Sequence, residues 1–299
     1  MVQNIVQKYD LKAPLILYNR TSARTISFAA SLPESKVQVA TTLQEVAKAN
    51  TILSCIADDP AMLAFINDIL PFCDQAKLFI DCSTIHPETS DQIGAKLKEA
   101  GHDFVAMPVF GAPAMADAGQ LVCVSAGPAL CIERALSFAS VVGRQTINLA
   151  GQPYGAALKL KIIGNTFILN MVNQLAEGHV LAESSGLGSE LLHRFISAML
   201  PGAYEKYSER MMSGDYCGRQ EPLFAVDLAI KDACHALSLA DDASKGLSGE
   251  VDLKNTKTGM ERLRAVKEKE GAKGDLPGVY GVVREQAGLG FDSKESKKE

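Results

Sequence analysis

No Cys-x-x-Cys pair occurs in this sequence, and His86, His102, His179, His193 and His235 fall at no metal-ligand spacing. A zinc or dithiol redox site is therefore not expected. The seven cysteines (55, 73, 82, 123, 131, 217, 234) sit mostly in apolar runs, as buried free thiols do. They read as belonging to a reduced compartment without a disulfide framework. A basic excess is also missing: 30 Lys and Arg stand against 35 Asp and Glu, net -5, which speaks against a nucleic-acid surface. No stretch reaches the roughly 18 uninterrupted apolar residues of a membrane span. The first residues, MVQNIVQKYDLKAP, resemble neither a signal peptide nor a transit peptide. There is no Gly-x-Ser-x-Gly elbow for a nucleophilic serine. The expected setting is cytoplasmic, with a small-molecule substrate and no metal, membrane or nucleic-acid partner.

What is present is an ordinary globular composition, 47% hydrophobic and 22% charged, in a chain of 299 residues. That length holds a large core and suggests two domains. One stretch stands out, Tyr154 to Gly188. It has no proline, and Leu158, Ile162, Phe167, Leu169 and Val172 place apolar groups around a helix rather than along one stripe. Such a helix is expected to be buried on all sides. Lys159 and Lys161 lie near its start, and Asn165 follows Lys161 by four residues, on the same face.

The chain opens within a helical pattern (Val2, Ile5, Val6), with no N-cap or preceding strand. Apolar runs at 14–18, 36–40, 51–57, 78–81, 103–107, 121–125 and 145–149 read as strands. Helical patterns separate most of them, at 22–32, from Thr42, at 61–69, 87–100 and 129–141. Thr42 and Glu45 have capping-box spacing. This alternation predicts a parallel, doubly wound sheet over 1–150. Ligands on such sheets bind beyond the carboxyl ends of strands. The candidate loops are therefore 19–22, 57–60 and 81–87. From 151 to 290 the patterns are helical only, at 154–188, 189–199, 204–212, 223–240, 254–271 and 276–286. Residues 291–299 are polar and expected to be disordered.

Arg20, after the first of these strands, suits a 2′-phosphate, where an acid would suit a free 2′-hydroxyl. It equally fits an ordinary surface arginine. Ser83 and Thr84 can reach a ribose or nicotinamide, or cap the helix that starts near Pro87. The small residues of 107–114 and 118–120 allow backbone amides to approach an anion such as a carboxylate. A tight turn requiring Gly111 and Gly119 explains them as well. Lys161 is the sharpest candidate. A lysine is protonated at its reference pKa of about 10.4, and burial lowers it toward a working range for proton transfer. The alternative is a side chain that reaches water, a role that suits Lys159 better. Lys231-Asp232 reads either as functional or as a solvated pair.

Taken in order, these pieces resemble the β-hydroxyacid dehydrogenases. That family includes 3-hydroxyisobutyrate dehydrogenase and glyoxylate/succinic semialdehyde reductase, and is related to 6-phosphogluconate dehydrogenase. The resemblance rests on Asn19-Arg20-Thr21, Asp81-Cys82-Ser83-Thr84, and Pro108-Val109-Phe110-Gly111-Ala112 with Gly119-Gln120-Leu121. It continues in Gly155-x5-Lys161-x3-Asn165, with Ala176-Glu177-Gly178 downstream, and in Phe224-x6-Lys231-Asp232. It spans about residues 1 to 290. It implies a Rossmann-like doubly wound sheet lacking its first strand, then an all-helical C-terminal domain that forms a homodimer or homotetramer. It implies hydride transfer between NADP, with NAD as the alternative, and a small hydroxyacid or aldehyde acid. Lys161 would be the catalytic lysine and Asn165 its partner, although Gly155-x3-Lys159-Leu160 fits the motif too. Asn19, Arg20, Thr21, Ile56, Ala57, Thr84, Phe224 and Lys231 would contact the cofactor, and Phe110, Gly111 and Ala112 the substrate.

Two departures accompany the resemblance. The family's opening Gly-x-Gly-x-Met-Gly, which holds a pyrophosphate, has no counterpart here. Phe110 stands where the family has a serine, so the substrate is expected to be bulkier, less polar, or held by backbone alone. The rival expectation is a non-catalytic binding or scaffold relative that has lost the phosphate loop.

Overall fold

The computed structural model describes residues 1–293. It divides into two compact units, one from Met1 to Lys161 and one from Ile162 onward. The division falls inside a helix rather than at residue 150, because the first turns of that helix contribute Ala157 and Leu158 to the first unit's core.

In the first unit, helix α1 (Val2–Lys8) leads to strand β1 (Leu15–Leu17), α2 (Ser22–Ala29) and β2 (Val37–Val39). Next come α3 (Leu43–Val46), β3 (Thr51–Ser54), α4 (Asp59–Ile69), β4 (Leu78–Asp81) and α5 (Pro87–Glu99). Then follow β5 (Asp103–Ala106), β6 (Val109–Phe110), α6 (Pro113–Ala118), β7 (Leu121–Gly127), α7 (Ala129–Val142) and β8 (Gly143–Ala150). The expected capping box is present: Glu45 N–H donates to Thr42 while the Glu45 carboxylate accepts from the Thr42 amide.

The sheet is less uniform than the alternation predicts. β1 and β2 pair in parallel as a separate two-stranded sheet, while the larger sheet runs β3-β4-β5-β7-β6 with β8 against β7. β3, β4 and β5 are parallel, forming the Rossmann-like core. β7 is antiparallel to both β5 and β6. No helix separates β5 from β6, and α6 is too short to carry a parallel crossover, so the chain reverses on itself. Strand periodicity divides the core between the two faces of the sheet. Ile80, Val105 and Cys123 pack with Ile132 and Ala135 of α7. Phe79, Phe104 and Val124 pack on the other face with Met62 and Ile66 of α4 and Leu97 of α5. Each fully buried side chain of this kind contributes about 1.5–3 kcal/mol.

Helix α8 (Gly155–Ser184) is continuous. Beyond it lie α9 (Ser189–Met199), α10 (Ala203–Met212), α11 (Asp215–Gly218), α12 (Val226–Ser244), α13 (Lys254–Glu270) and α14 (Val279–Gln286). Leu169, Val172 and Leu175 of α8 build the second unit's core with Ala229 of α12, Leu263 of α13 and Val283 of α14. The expectation that α8 is buried all round does not hold within the chain: Ile163, Phe167 and Leu181 are 52%, 72% and 69% exposed. The expected helix over 223–240 starts later, at Val226, and runs to Ser244, since Leu223 and Phe224 give their amides to Asp275 instead.

The expectation of disorder over 291–299 fails where the chain is described. Phe291 and Ser293 are buried, and the Tyr216 hydroxyl donates to Phe291 O and accepts from Ser293 N. The remainder, 294–299, lies outside the described residues.

Candidate functional site

In the first unit the site begins at the carboxyl ends of β3 and β4. Asp81, buried at the end of β4, accepts from Ser54 Oγ at 2.7 Å and from Ser83 Oγ at 2.6 Å. Ser83 Oγ in turn accepts from Ile56 N at 2.8 Å. A serine hydroxyl that donates once and accepts once thus locks two strand-end loops together. Asp59 Oδ1 adds a bond from His86 N at 2.7 Å. This arrangement corrects the capping alternative for Ser83 and Thr84. The N-cap of α5 is His86, whose Nδ1 accepts from Glu88 N. Thr84 is half-buried and Ala57 exposed beside this lock. After β1, Asn19 Oδ1 accepts from Thr21 N at 2.8 Å, a local turn that leaves Asn19, Arg20 and Thr21 exposed.

Phe110 ends β6, opposite Val122 of β7. Its half-buried ring packs on the first unit's core. Lys161, 9% exposed, holds its Nζ 4.3 Å from the centroid of that ring. A cation over a ring face is attracted by the ring quadrupole, by about 0.5–2 kcal/mol depending on hydration. Lys159, two residues earlier on α8, is exposed. The turn alternative for the glycines is met: Gly111 has φ +141 and Gly119 φ +68, conformations that L side chains rarely adopt. The stretch expected as a loop contains helix α6, and the amides of Met115 and Ala116 donate to Ala112 O at 2.9 and 3.1 Å. Gly111 and Ala112 are exposed at its start.

In the second unit, Asn165 Nδ2 donates to Asp232 Oδ2 at 2.5 Å, and Lys231 Nζ lies 3.3 Å from Asp232 Oδ1. Asn165 and Asp232 are both buried. They line a small hollow with Phe224, Ala229 and Leu276. Asp275, 1% exposed, shapes the approach to α12. It accepts from Leu223 N at 2.8 Å and Phe224 N at 3.1 Å, and pairs with Arg210 at 2.6 Å.

The fold therefore brings Lys161 to Phe110, and Asn165 to Asp232 and Lys231. Asn19, Arg20 and Thr21 lie in the turn after β1, a strand of the separate two-stranded sheet. Ser54 and Asp275 do not figure in the sequence expectations, and Asp81 and Asp232 figure there only as members of motifs, with no role of their own. For Asp81 a signal existed: an acid closing the apolar run Leu78-Phe79-Ile80 has to find donors. For Asp275 none did, since its partners lie about fifty residues upstream. Among the described residues no group of three His, Cys, Asp or Glu could hold a metal ion, and no helix is long and apolar enough to cross a membrane.

Residues 1–151 match the family model described as the NAD binding domain of 6-phosphogluconate dehydrogenase. The chain is 30% identical, over 98% of both sequences, to an NADH-dependent oxidoreductase of Aspergillus ustus. It is 30% identical to glyoxylate/succinic semialdehyde reductase 1 of Arabidopsis thaliana, over 76% of this chain and 77% of that one. Its fold is similar to that of a 3-hydroxyisobutyrate dehydrogenase from Salmonella typhimurium, with a TM-score of 0.77 over 94% of each chain. The 17% identity of that pair limits the likeness to fold.

Proposed function

The chain belongs to the β-hydroxyacid dehydrogenase family of oxidoreductases, and we propose that it interconverts an alcohol and its carbonyl compound with NADP(H), using Lys161 for proton transfer. The observation that carries this reading is the buried ammonium of Lys161 beside the Phe110 ring. Little water competes for its proton there. The bound nicotinamide supplies a hydride in reduction and accepts one in oxidation. As the substrate carbon gains that hydride, Lys161 Nζ gives a proton to the oxygen. The C=O π bond breaks, C–H and O–H bonds form, and the amine regains its proton from water. Asn165, held by Asp232, orients the polar end of the substrate.

Part of a dinucleotide's donor set is present. The exposed Arg20 guanidinium follows the carboxyl end of β1 and suits a 2′-phosphate. The Asp81–Ser83–Ile56 lock presents Thr84 and Ala57 at the ends of β3 and β4. The family resemblance adds Phe224 and Lys231 as cofactor contacts. The test pairs cofactor titration with turnover. NADPH should raise the melting temperature, and Lys161→Ala should retain that rise while losing turnover. A Lys161→Ala enzyme that turns over normally would sink the assignment.

We also propose a homodimer or homotetramer assembled through α8 and α9. Phe167, Leu181, Leu191, Phe195 and Met199 are large apolar side chains left exposed on these two helices, and exposed apolar patches mark interaction surfaces. A Phe167→Asp chain that keeps the wild-type mass in light scattering would count against this face.

A further inference from the structure

The segment from Val109 to Ala116 reads Val-Phe-Gly-Ala-Pro-Ala-Met-Ala. None of its side chains donates a hydrogen bond, and the next residue, Asp117, is acidic. Its backbone is partly committed as well, since Met115 and Ala116 give their amides to Ala112 O. What the segment offers toward Lys161 is the face of the Phe110 ring, 4.3 Å from the ammonium. That face carries the negative end of the aromatic quadrupole. A carboxylate seated there would lose water and meet alkyl groups and a repelling ring. The Lys161 ammonium faces the ring but gives its proton to the carbonyl oxygen, so a buried carboxylate would have to rely on a segment that supplies no side-chain donors, which is unfavourable. An apolar or aromatic group would instead lose little hydration and stack on the ring.

We propose that the carbonyl substrate bears an apolar or aromatic group, seated against Phe110, rather than a carboxylate. This rests on the reading of Lys161 as the proton-transfer group and narrows the substrate of that same site. The reaction balances as above: one hydride from the reduced cofactor and one proton from Lys161 convert the carbonyl to an alcohol.

The experiment measures kcat/KM with NADPH and with NADH on two matched sets. Phenylacetaldehyde and hexanal represent the apolar class; succinic semialdehyde and glyoxylate represent the carboxylated class. The apolar set should be favoured by about tenfold or more, the discrimination that a few buried methylene equivalents supply. Phe110→Ser should move that ratio toward the carboxylated set by at least about tenfold, whereas Phe110→Leu should keep the apolar preference. A wild-type preference for the carboxylated set overturns the proposal, as does an unchanged ratio in folded Phe110→Ser. If Phe110→Ser does not fold, the wild-type and Phe110→Leu ratios decide. Failure of the underlying reading looks different: neither set is turned over with either cofactor, or turnover survives Lys161→Ala, and the proposal falls with it.

Discussion

Lys161 holds its ammonium against the face of Phe110, 4.3 Å from the ring centroid, while Lys159 on the same helix stands in water. Two lysines that compete for one motif are thus separated by burial, in favour of the one that Asn165 follows by four residues. Removing the buried one should lower kcat by about 10²–10⁴-fold, the usual worth of a positioned acid or base. Lys159→Ala should leave kcat within about twofold, as surface substitutions generally do. Steady-state rates on both variants check this.

Arg20 follows the carboxyl end of β1 and is exposed. A guanidinium recognises a phosphate through charge-assisted bonds that a free hydroxyl does not offer. Arg20→Ala is therefore expected to reduce kcat/KM for NADPH by about tenfold or more and leave NADH nearly unchanged. An equal loss with both cofactors, in matched titrations, would remove the 2′-phosphate role.

Asp275 is buried, paired with Arg210, and bonded to the amides of Leu223 and Phe224. Asp275→Ala leaves the Arg210 guanidinium without that partner and two amides without acceptors. Breaking a buried ion pair from one side costs about 3–5 kcal/mol. Urea denaturation should show a loss of that size. Because Phe224 leads into the helix bearing Lys231, the surviving folded enzyme should also show a raised KM for cofactor with a smaller change in kcat.

His179 is fully buried on α8 and shares the Ser208 hydroxyl with His193, each imidazole 2.8 Å from Oγ. Tyr280 meets its ring edge-on. Burial, reinforced by the nearby His193, pushes His179 down to about 4. The unfolded chain takes up the same proton near pH 6.5. Between these values the unfolded state binds more protons, so stability rises with pH. The contribution is complete above about pH 6.5 and lost as pH falls toward 4, by as much as about 3 kcal/mol. Denaturation midpoints measured from pH 7 to 4.5 check the direction. In His179→Leu this part of the slope should disappear.

Much of the architecture was legible along the chain. The β4 run, 78–81, and the capping box at Thr42 and Glu45 match the structure residue for residue. The helix over α8 matches closely. These features depend on neighbours within a turn or along one strand, where period and capping chemistry are local. The exposure of Lys159 agrees with the role in water that suits it better, and the burial of Lys161 decides between its two alternatives.

Other features exist only in the folded chain. Asn165 finds Asp232 67 residues away, and Phe224 finds Asp275 51 residues away. No local period encodes such partners; they meet because the packing of α8, α12 and the segment before α14 leaves buried polar groups that need one another. The antiparallel course of β7 has the same origin, since the short span after β5 cannot carry a parallel crossover. The order of motifs along the sequence determined the family and the candidate lysine. Only the tertiary structure decided that this lysine faces an aromatic ring, because that contact depends on where β6 and α8 come to rest.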